Sequence, residues 1–295
     1  MESAQAFAEN HGADLAFDSW QEMIATDVID AVYVATPTSV REEISVAAAR
    51  AGKHVLGEKP FASLPSMQRI IAACEEHKVG FMDGTHFVHH PRTHQIRQRM
   101  EEDLGWPWSV DSVFQFSLPD KGNSRYKPDL EPMGAIGDAG WYNMRAAVEY
   151  LAPDAELEKV DAYLRRDPDT GATISGSGVL RFSDGSTSTW NCGFDSGAVV
   201  TDLRITASNG VVNMDDFISQ SPDGSADYLY RSGGWGPGAE SRTVNVESSL
   251  PGAALMFEDF AEMVADPSER AKWMRASQRT QALLDAVWQS ALDNE

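Results

Sequence analysis

Residues 29–37 read Ile-Asp-Ala-Val-Tyr-Val-Ala-Thr-Pro, and residues 52–60 read Gly-Lys-His-Val-Leu-Gly-Glu-Lys-Pro. Each holds a short apolar, β-rich run that stops at a proline. Between them residues 40–51 are alanine-rich and helical, ending at Gly52, a glycine placed to terminate a helix. A strand, one helix and a second strand in so short a span imply a right-handed crossover and therefore parallel strands. The pattern continues downstream. Residues 64–77 form a helix behind the cap Ser63, with Pro65 in its first turn, and residues 79–83 (Val-Gly-Phe-Met-Asp) make a third strand. Upstream, residues 2–10 are helical, and Ser19-Trp20-Gln21-Glu22 is a capping box that opens a short helix.

The second half changes period. Residues 110–118, 159–165, 172–182, 186–194, 200–207 and 211–217 are strand candidates in succession, joined by turns such as Ser183-Asp184-Gly185 and Ser208-Asn209-Gly210. Such a run predicts an antiparallel sheet. A helical stretch, 137–151, lies between the halves, and two more helices, 253–265 and 268–292, close the chain. Glycine-rich residues 231–239 read as a surface loop.

The balance of 24 basic against 45 acidic residues gives a net charge of −21, which repels nucleic acid and anionic membrane surfaces. With 42% hydrophobic and 23% charged residues the chain is globular in composition. Two cysteines, Cys74 and Cys192, have no metal-type spacing and read as buried free thiols in a reducing compartment. No basic leader precedes an apolar run, and no apolar stretch reaches about 18 residues. The expected location is the cytoplasm, or an organelle if a transit segment precedes Met1.

Two motifs can carry chemistry. Gly57-Glu58-Lys59-Pro60 ends a parallel strand, where ligands of open α/β sheets bind, so Lys59 points into the crevice; the alternative is a surface lysine beside a turn proline. Gly137-Asp138-Ala139-Gly140-Trp141-Tyr142 places Asp138 and Tyr142 four apart on one helical face; the alternative is a capping aspartate and a packed aromatic. An acid, a phenol and a lysine form a proton-transfer set, provided that the cation lowers the phenol's pKa. His86, His89, His90 and His94 surround Pro91 and Arg92. His86, His90 and His94 share a face only if a helix runs through Pro91, which favours an element boundary, so cleft or packing roles are preferred to a metal site. Arg92 is a candidate for a polyol or anionic substrate group, with a surface role as the alternative. Trp190 and Phe194 read as sheet-face packing or dimer contacts.

The block 32–60, the pair Met82-Asp83-Gly84-Thr85 and His89-His90-Pro91-Arg92, and the block 134–142 together resemble the Gfo/Idh/MocA oxidoreductase family. The last two stretches are similar to a plant and algal branch, to dimeric dihydrodiol dehydrogenase and to glucose–fructose oxidoreductase. The resemblance implies an α/β chain with a Rossmann-type domain, residues 1–108, then an α+β domain with an open-faced, largely antiparallel sheet, residues 109–295. It implies NAD or NADP, with NADP preferred, bound between the two. Lys59 then lies beside the nicotinamide and substrate, and Thr36, Pro37 and Glu58 join it on the cofactor side. Asp138 and Tyr142 match the tyrosine version of the family's proton donor, and Arg92 and His89 are candidate substrate contacts. The implied reaction moves a hydride between the nicotinamide and a hydroxyl or carbonyl carbon of a sugar, polyol or cyclic diol. A homodimer through the C-terminal sheet is implied as well.

One departure stands out. A Rossmann unit opens with a strand, a Gly-x-Gly-x-x-Gly turn and a helix, and this sequence holds no such turn. Gly176-Ser177-Gly178 and Gly233-Gly234-Trp235-Gly236 lack the third glycine and lie in the wrong half. The chain reads as starting at the helix after the second strand, so about 30–40 residues, one βαβ unit, are expected to be missing. The adjacent parallel strand is then expected to present an unpaired apolar edge. The competing reading is a catalytically inactive chain that serves as a binding or assembly subunit.

Overall fold

A computed structural model describes residues 2–221 and 223–295. Strands β1 (Ala31–Val34), β2 (His54–Gly57) and β3 (Phe81–Asp83) form a parallel sheet in that order. Helices α1 (Glu2–His11) and α2 (Trp20–Ile24) precede it, and α3 (Thr38–Arg50) and α4 (Leu64–Glu76) make its crossovers. Both expected caps form: Ser19 accepts from the Glu22 N–H and Ser63 from the Ser66 N–H. The register pairs Val34 with Gly57 and Gly57 with Asp83, so the three strands end in one row. That row defines the rim on which the site is built. On its other side β1 has no strand partner among the described residues. Val32 and Val34 are buried there, and Tyr33 is 44% exposed.

A large sheet follows, in the order β12-β11-β10-β9-β4-β7-β6-β5, with β8 also paired to β4. Its strands are β4 (Pro107–Ser117), β5 (Leu157–Arg166), β6 (Thr173–Phe182), β7 (Thr187–Gly193), β8 (Asp195–Val200), β9 (Leu203–Ala207), β10 (Gly210–Met214), β11 (Ala226–Ser232) and β12 (Glu240–Val246). The ladder between β4 and β7 is parallel and the others are antiparallel, so the sheet is mixed. The sequence reading passed over β8, β11 and β12. In β11 the alternation is present, with Ala226, Tyr228 and Tyr230 buried. The turn after it needs glycine: Gly233 has φ +82, and a side chain there would begin 2.2 Å from the Gly238 carbonyl oxygen.

The helical stretch between the halves is two segments, α6 (Gly134–Asp138) and α7 (Gly140–Tyr150). The turn tightens at the junction, where the Tyr142 N–H bonds to the Ala139 carbonyl three residues back. Asp138 therefore ends one segment and Tyr142 starts the next, in place of the single helix expected. Helix α8 (Gly252–Ala265) and the long α9 (Arg270–Asp293) complete the chain, and α9 packs on β3 and α4 as well as on β5 and α7. One hydrophobic core runs from Val34 and Val55 through Trp141 to Leu284. Cys74 and Cys192 are free and buried within it, and burial pushes both thiols up to about 12. No helix among the described residues is long and apolar enough to cross a membrane.

A buried ion pair ties these elements together. Asp83, at the end of β3, meets Arg145 of α7 at 2.7 Å, with both side chains 1% exposed. Asp83 also accepts from Ser277 of α9 at 2.5 Å and from the Thr85 N–H and hydroxyl. Burial alone would raise Asp83; Arg145 and the hydroxyls outweigh it and hold the carboxyl below its ordinary value. Removing one partner strands a buried charge. Asp83→Leu or Arg145→Met alone should each cost about 3–5 kcal/mol in denaturant unfolding, and the double variant less than their sum. Additive losses would show that the pair does not act as a unit.

Candidate active site

The rim residues follow directly from the strand ends. β2 runs out at Gly57 into Glu58-Lys59-Pro60, and the backbone after Pro60 is pinned by α9, where Gln281 accepts from the Phe61 N–H at 3.1 Å and Asp285 from the Leu64 N–H at 2.6 Å. Phe61 packs beneath the turn against Phe81 and Trp141 at 5.5 and 5.9 Å. Lys59 thus leaves a fixed backbone. Its Nζ donates to Asp138 Oδ1 at 2.6 Å and to the Asp138 carbonyl at 3.0 Å, and it lies over the Tyr142 ring, 4.9 Å from the centroid. Gly137 allows this approach. A side chain there would start 3.0 Å from Pro60 and 2.9 Å from Met133, so any larger residue drives α6 off the turn.

Lys59, Asp138 and Tyr142 are therefore brought together. Arg125, which the sequence reading missed, completes the group: its guanidinium donates to both Asp138 oxygens, at 2.6 and 3.2 Å. One electrostatic expectation changes. Burial, then Glu58 and Asp138, push the Tyr142 phenol well above its ordinary value. Lys59 spends its charge on Asp138 and faces the ring, not the oxygen, so it does not lower the phenol as it stands. The Tyr142 hydroxyl has no hydrogen-bond partner among the described residues.

Thr36, Pro37 and Glu58 gather beside Lys59. With Ala35, Arg41, Pro60, Ser124, Arg125, Glu131, Gly134 and Asp138 they line a recess of about 230 Å³. Arg41 is buried and donates to the carbonyls of Thr36 and Pro60, locking the ends of β1 and β2 together. Glu131 caps α3 through the Thr38 N–H at 3.1 Å and hydroxyl at 2.5 Å. Glu58 accepts from the Tyr33 hydroxyl and from the Lys59 N–H. Thr36 Oγ1 is buried in the recess without a partner.

His89 and Arg92 are placed elsewhere. His89 Nδ1 meets Asp259 at 2.6 Å and the ring stacks on Trp273, and the Arg92 guanidinium donates to the carbonyls of Asp216 and Asp227. Neither lines the recess at Lys59. His90 caps α5 (Pro91–Arg99) by accepting from the Arg92 N–H, so Pro91 starts a helix and the histidines do not share a face. No three His, Cys, Asp or Glu side chains converge as metal ligands among the described residues. Of the cluster only His86 lies beside the site, its ring 5.5 Å from that of Tyr142.

A family model described as an oxidoreductase family with an NAD-binding Rossmann fold matches residues 1–85, and the GFO/IDH/MocA C-terminal domain matches residues 93–213. The chain is also 31% identical over 234 residues to D-xylose 1-dehydrogenase (NADP(+)) 2 of Haloferax volcanii, covering 78% of this chain and 70% of that protein. The chain belongs to the Gfo/Idh/MocA oxidoreductase family. It is 28% identical over 302 residues to a dTDP-3,4-didehydro-2,6-dideoxy-alpha-D-glucose 3-reductase of Actinomadura kijaniata, 98% of this chain and 85% of that one. The crystal structure of a 3-ketoreductase from Actinomadura kijaniata with NADP and TDP-benzene aligns with TM-score 0.88 at 26% identity, over 98% of this chain and 86% of that one. Levoglucosan dehydrogenase, solved with NADH and levoglucosan, shares the fold at 17% identity, with TM-score 0.86 over 100% and 86% of the two chains.

In this Gfo/Idh/MocA chain the charge pair at Asp138 has a pH signature. Burial would raise its carboxyl, but Lys59 and Arg125 overcome burial and hold it at about 2, against 3.8 for the free group. A carboxyl depressed on folding adds stability that is complete above the unfolded value and is lost as pH falls through the folded one. Wild type minus Asp138→Asn should therefore show a stability difference that shrinks by about 2 kcal/mol between pH 5 and pH 2. Denaturant unfolding of both proteins across that range measures it, and a difference independent of pH counts against the pairing.

Proposed function

We propose that this chain transfers a hydride between NADP, or NAD, and a hydroxyl-bearing or carbonyl carbon of a sugar, polyol or cyclic diol. The observation that carries the reading is Lys59, held by the Asp138 carboxylate over the ring of Tyr142 at the row of strand ends. Parallel sheets of this kind bind ligands outside the carboxyl ends of their strands. The residues fit a nicotinamide: Thr36 Oγ1 is a buried group without a partner, in a recess that also presents Pro37, Glu58 and Lys59. When bound, the cofactor supplies or accepts the hydride. Two proteins similar to this chain, by their names or bound ligands, use NADP, which supports that choice.

The residues divide the remaining work. In the reduction direction Tyr142 holds the proton that the developing alkoxide takes, and its raised pKa keeps it protonated at neutral pH. The Lys59 ammonium stabilises negative charge as it grows on the substrate oxygen. Asp138 and Arg125 fix Lys59 in place. An aromatic row extends from Tyr142 through Phe114 at 5.3 Å and Phe116 at 5.6 Å to Phe194 at 5.2 Å; Phe194 is buried, and the half-buried Phe114 and Phe116 offer apolar faces to the C–H side of a ring substrate. A homodimer through the face of the large sheet is part of this reading.

Lys59→Met and Tyr142→Phe should each lower kcat by about 100-fold or more with the fold intact, the lysine variant at a lower unfolding midpoint because Asp138 loses one of its two cations. D-xylose and D-glucose with NADP, followed by nicotinamide absorbance, are the assay. Titration with NADPH should show energy transfer from the tryptophans at micromolar concentration. Turnover that survives both substitutions sinks the assignment of roles, and absence of transfer favours a binding or assembly subunit.

A further inference from the structure

His86 leaves the end of β3, two residues after Gly84, on the row of strand ends that carries Lys59. Its ring is 5.5 Å from that of Tyr142, which Lys59 covers from over its face at 4.9 Å. Beyond it, His89 is bound through Nδ1 to Asp259 and His90 through Nε2 to the Gly224 carbonyl. Neither the ring nitrogens of His86 nor the hydroxyl of Tyr142 has a hydrogen-bond partner among the described residues. Neither residue belongs to the fully buried polar atoms that lack a partner. Two neighbouring side chains thus carry polar groups that no protein group engages, while Lys59, Glu58, Arg125 and Asp138 around them are engaged with one another or with Tyr33.

The ring is also held in position. Trp141 Nε1 donates to the hydroxyl of Thr85, the preceding residue, at 2.6 Å. On the other side α8 presses against the loop so closely that a side chain at Gly252 would start 2.7 Å from the His86 carbonyl oxygen. Burial first, and the Lys59 charge second, push His86 down to about 4, so its imidazole is neutral at physiological pH. A neutral imidazole offers one donor and one acceptor, which suits a hydroxyl and gives no advantage to a carboxylate or phosphate. Oxygens on adjacent carbons lie about 3 Å apart, and hydrogen bonds of about 2.8 Å let two neighbouring side chains hold both.

We propose that His86 is a specificity-determining residue: its imidazole binds the hydroxyl on the carbon next to the one held by Tyr142. The chain thereby selects vicinal diols, such as ring sugars and inositols, over isolated alcohols. The inference rests on the hydride-transfer reading for the identity of the reacting carbon, and its binding test does not.

The test uses the full chain with NADPH present and two probes, D-glucose and 2-deoxy-D-glucose. C2 is the one hydroxyl-bearing carbon next to C1, so the pair tests the contact with C1 held by Tyr142. Wild type should bind D-glucose about 10-fold more tightly than the deoxy sugar, and His86→Leu should erase that preference by weakening D-glucose alone. His86→Gln, which keeps a donor and an acceptor, should restore part of it. In turnover the His86→Leu loss should appear in KM more than in kcat. Equal weakening toward both sugars would mean a packing role and overturns the proposal, as does a wild type that binds neither sugar or does not discriminate. Lys59→Met retaining turnover defeats the hydride-transfer reading on its own, whatever the His86 variants do to binding.

Discussion

Asp138 carries a cation on each side, and the meeting of the two sheets depends on it. Lys59 arrives from the end of β2 and Arg125 from the irregular segment that follows β4, both at 2.6 Å. The carboxylate is 15% exposed, so desolvation works against its charge, and a single exposed ion pair of this kind would contribute little. Two cations on one carboxylate reverse the balance, which is why its pKa falls despite burial. The geometry rests on a glycine. Gly137 lets α6 touch Pro60, and without that contact the Asp138 carbonyl and carboxylate could not both reach the same ammonium.

A second brace sits behind the first and is of a different kind. Asp83, Arg145 and Ser277 join β3, α7 and α9 deep in the core, and Trp141 reaches Thr85 from the turn that carries Tyr142. Lys59 and Tyr142 therefore descend from separate elements whose mutual position is fixed at two depths. Such double support is what holds side chains within a fraction of an ångström of a working geometry. Around the recess the bonding is more local. Arg41 ties the carbonyls of Thr36 and Pro60, and Glu131 ties the start of α3 to the same wall.

The parts legible in the sequence were those set by local chemistry. Proline-ended strands, the alanine-rich helix up to Gly52 and the caps Ser19 and Ser63 depend on neighbours along the chain, and they form. The trio Lys59, Asp138 and Tyr142 was accessible because each sits at an element end whose position the topology dictates. Arg41, Arg125 and Glu131 were not. Arg125 lies where no periodicity exists, and Arg41 looks like the polar face of an amphipathic helix until two turns converge on it. Arg92 and His89 read as substrate contacts from the company they keep in sequence. Their real partners, Asp216, Asp227 and Asp259, come from parts of the chain far downstream that no local pattern can place. Strands β11 and β12 escaped because the glycine-rich turn between them drowned the alternation of Tyr228 and Tyr230.

The charge of the recess argues for the kind of molecule it receives. Across the whole chain acidic residues exceed basic ones by 21, yet the recess carries Arg41, Lys59 and Arg125 against Glu58, Glu131 and Asp138. Lys59 and Arg125 are bound by the Asp138 carboxylate, while Arg41 donates to neutral carbonyls and its Nε has no partner among the described residues. The recess therefore carries no large excess of either sign, unlike the chain as a whole, and suits the uncharged part of a ligand. In the proposed reaction the same pairing matters for the proton: with Lys59 bound to Asp138 and Tyr142 raised by burial, the phenol keeps its proton at neutral pH until a developing alkoxide takes it.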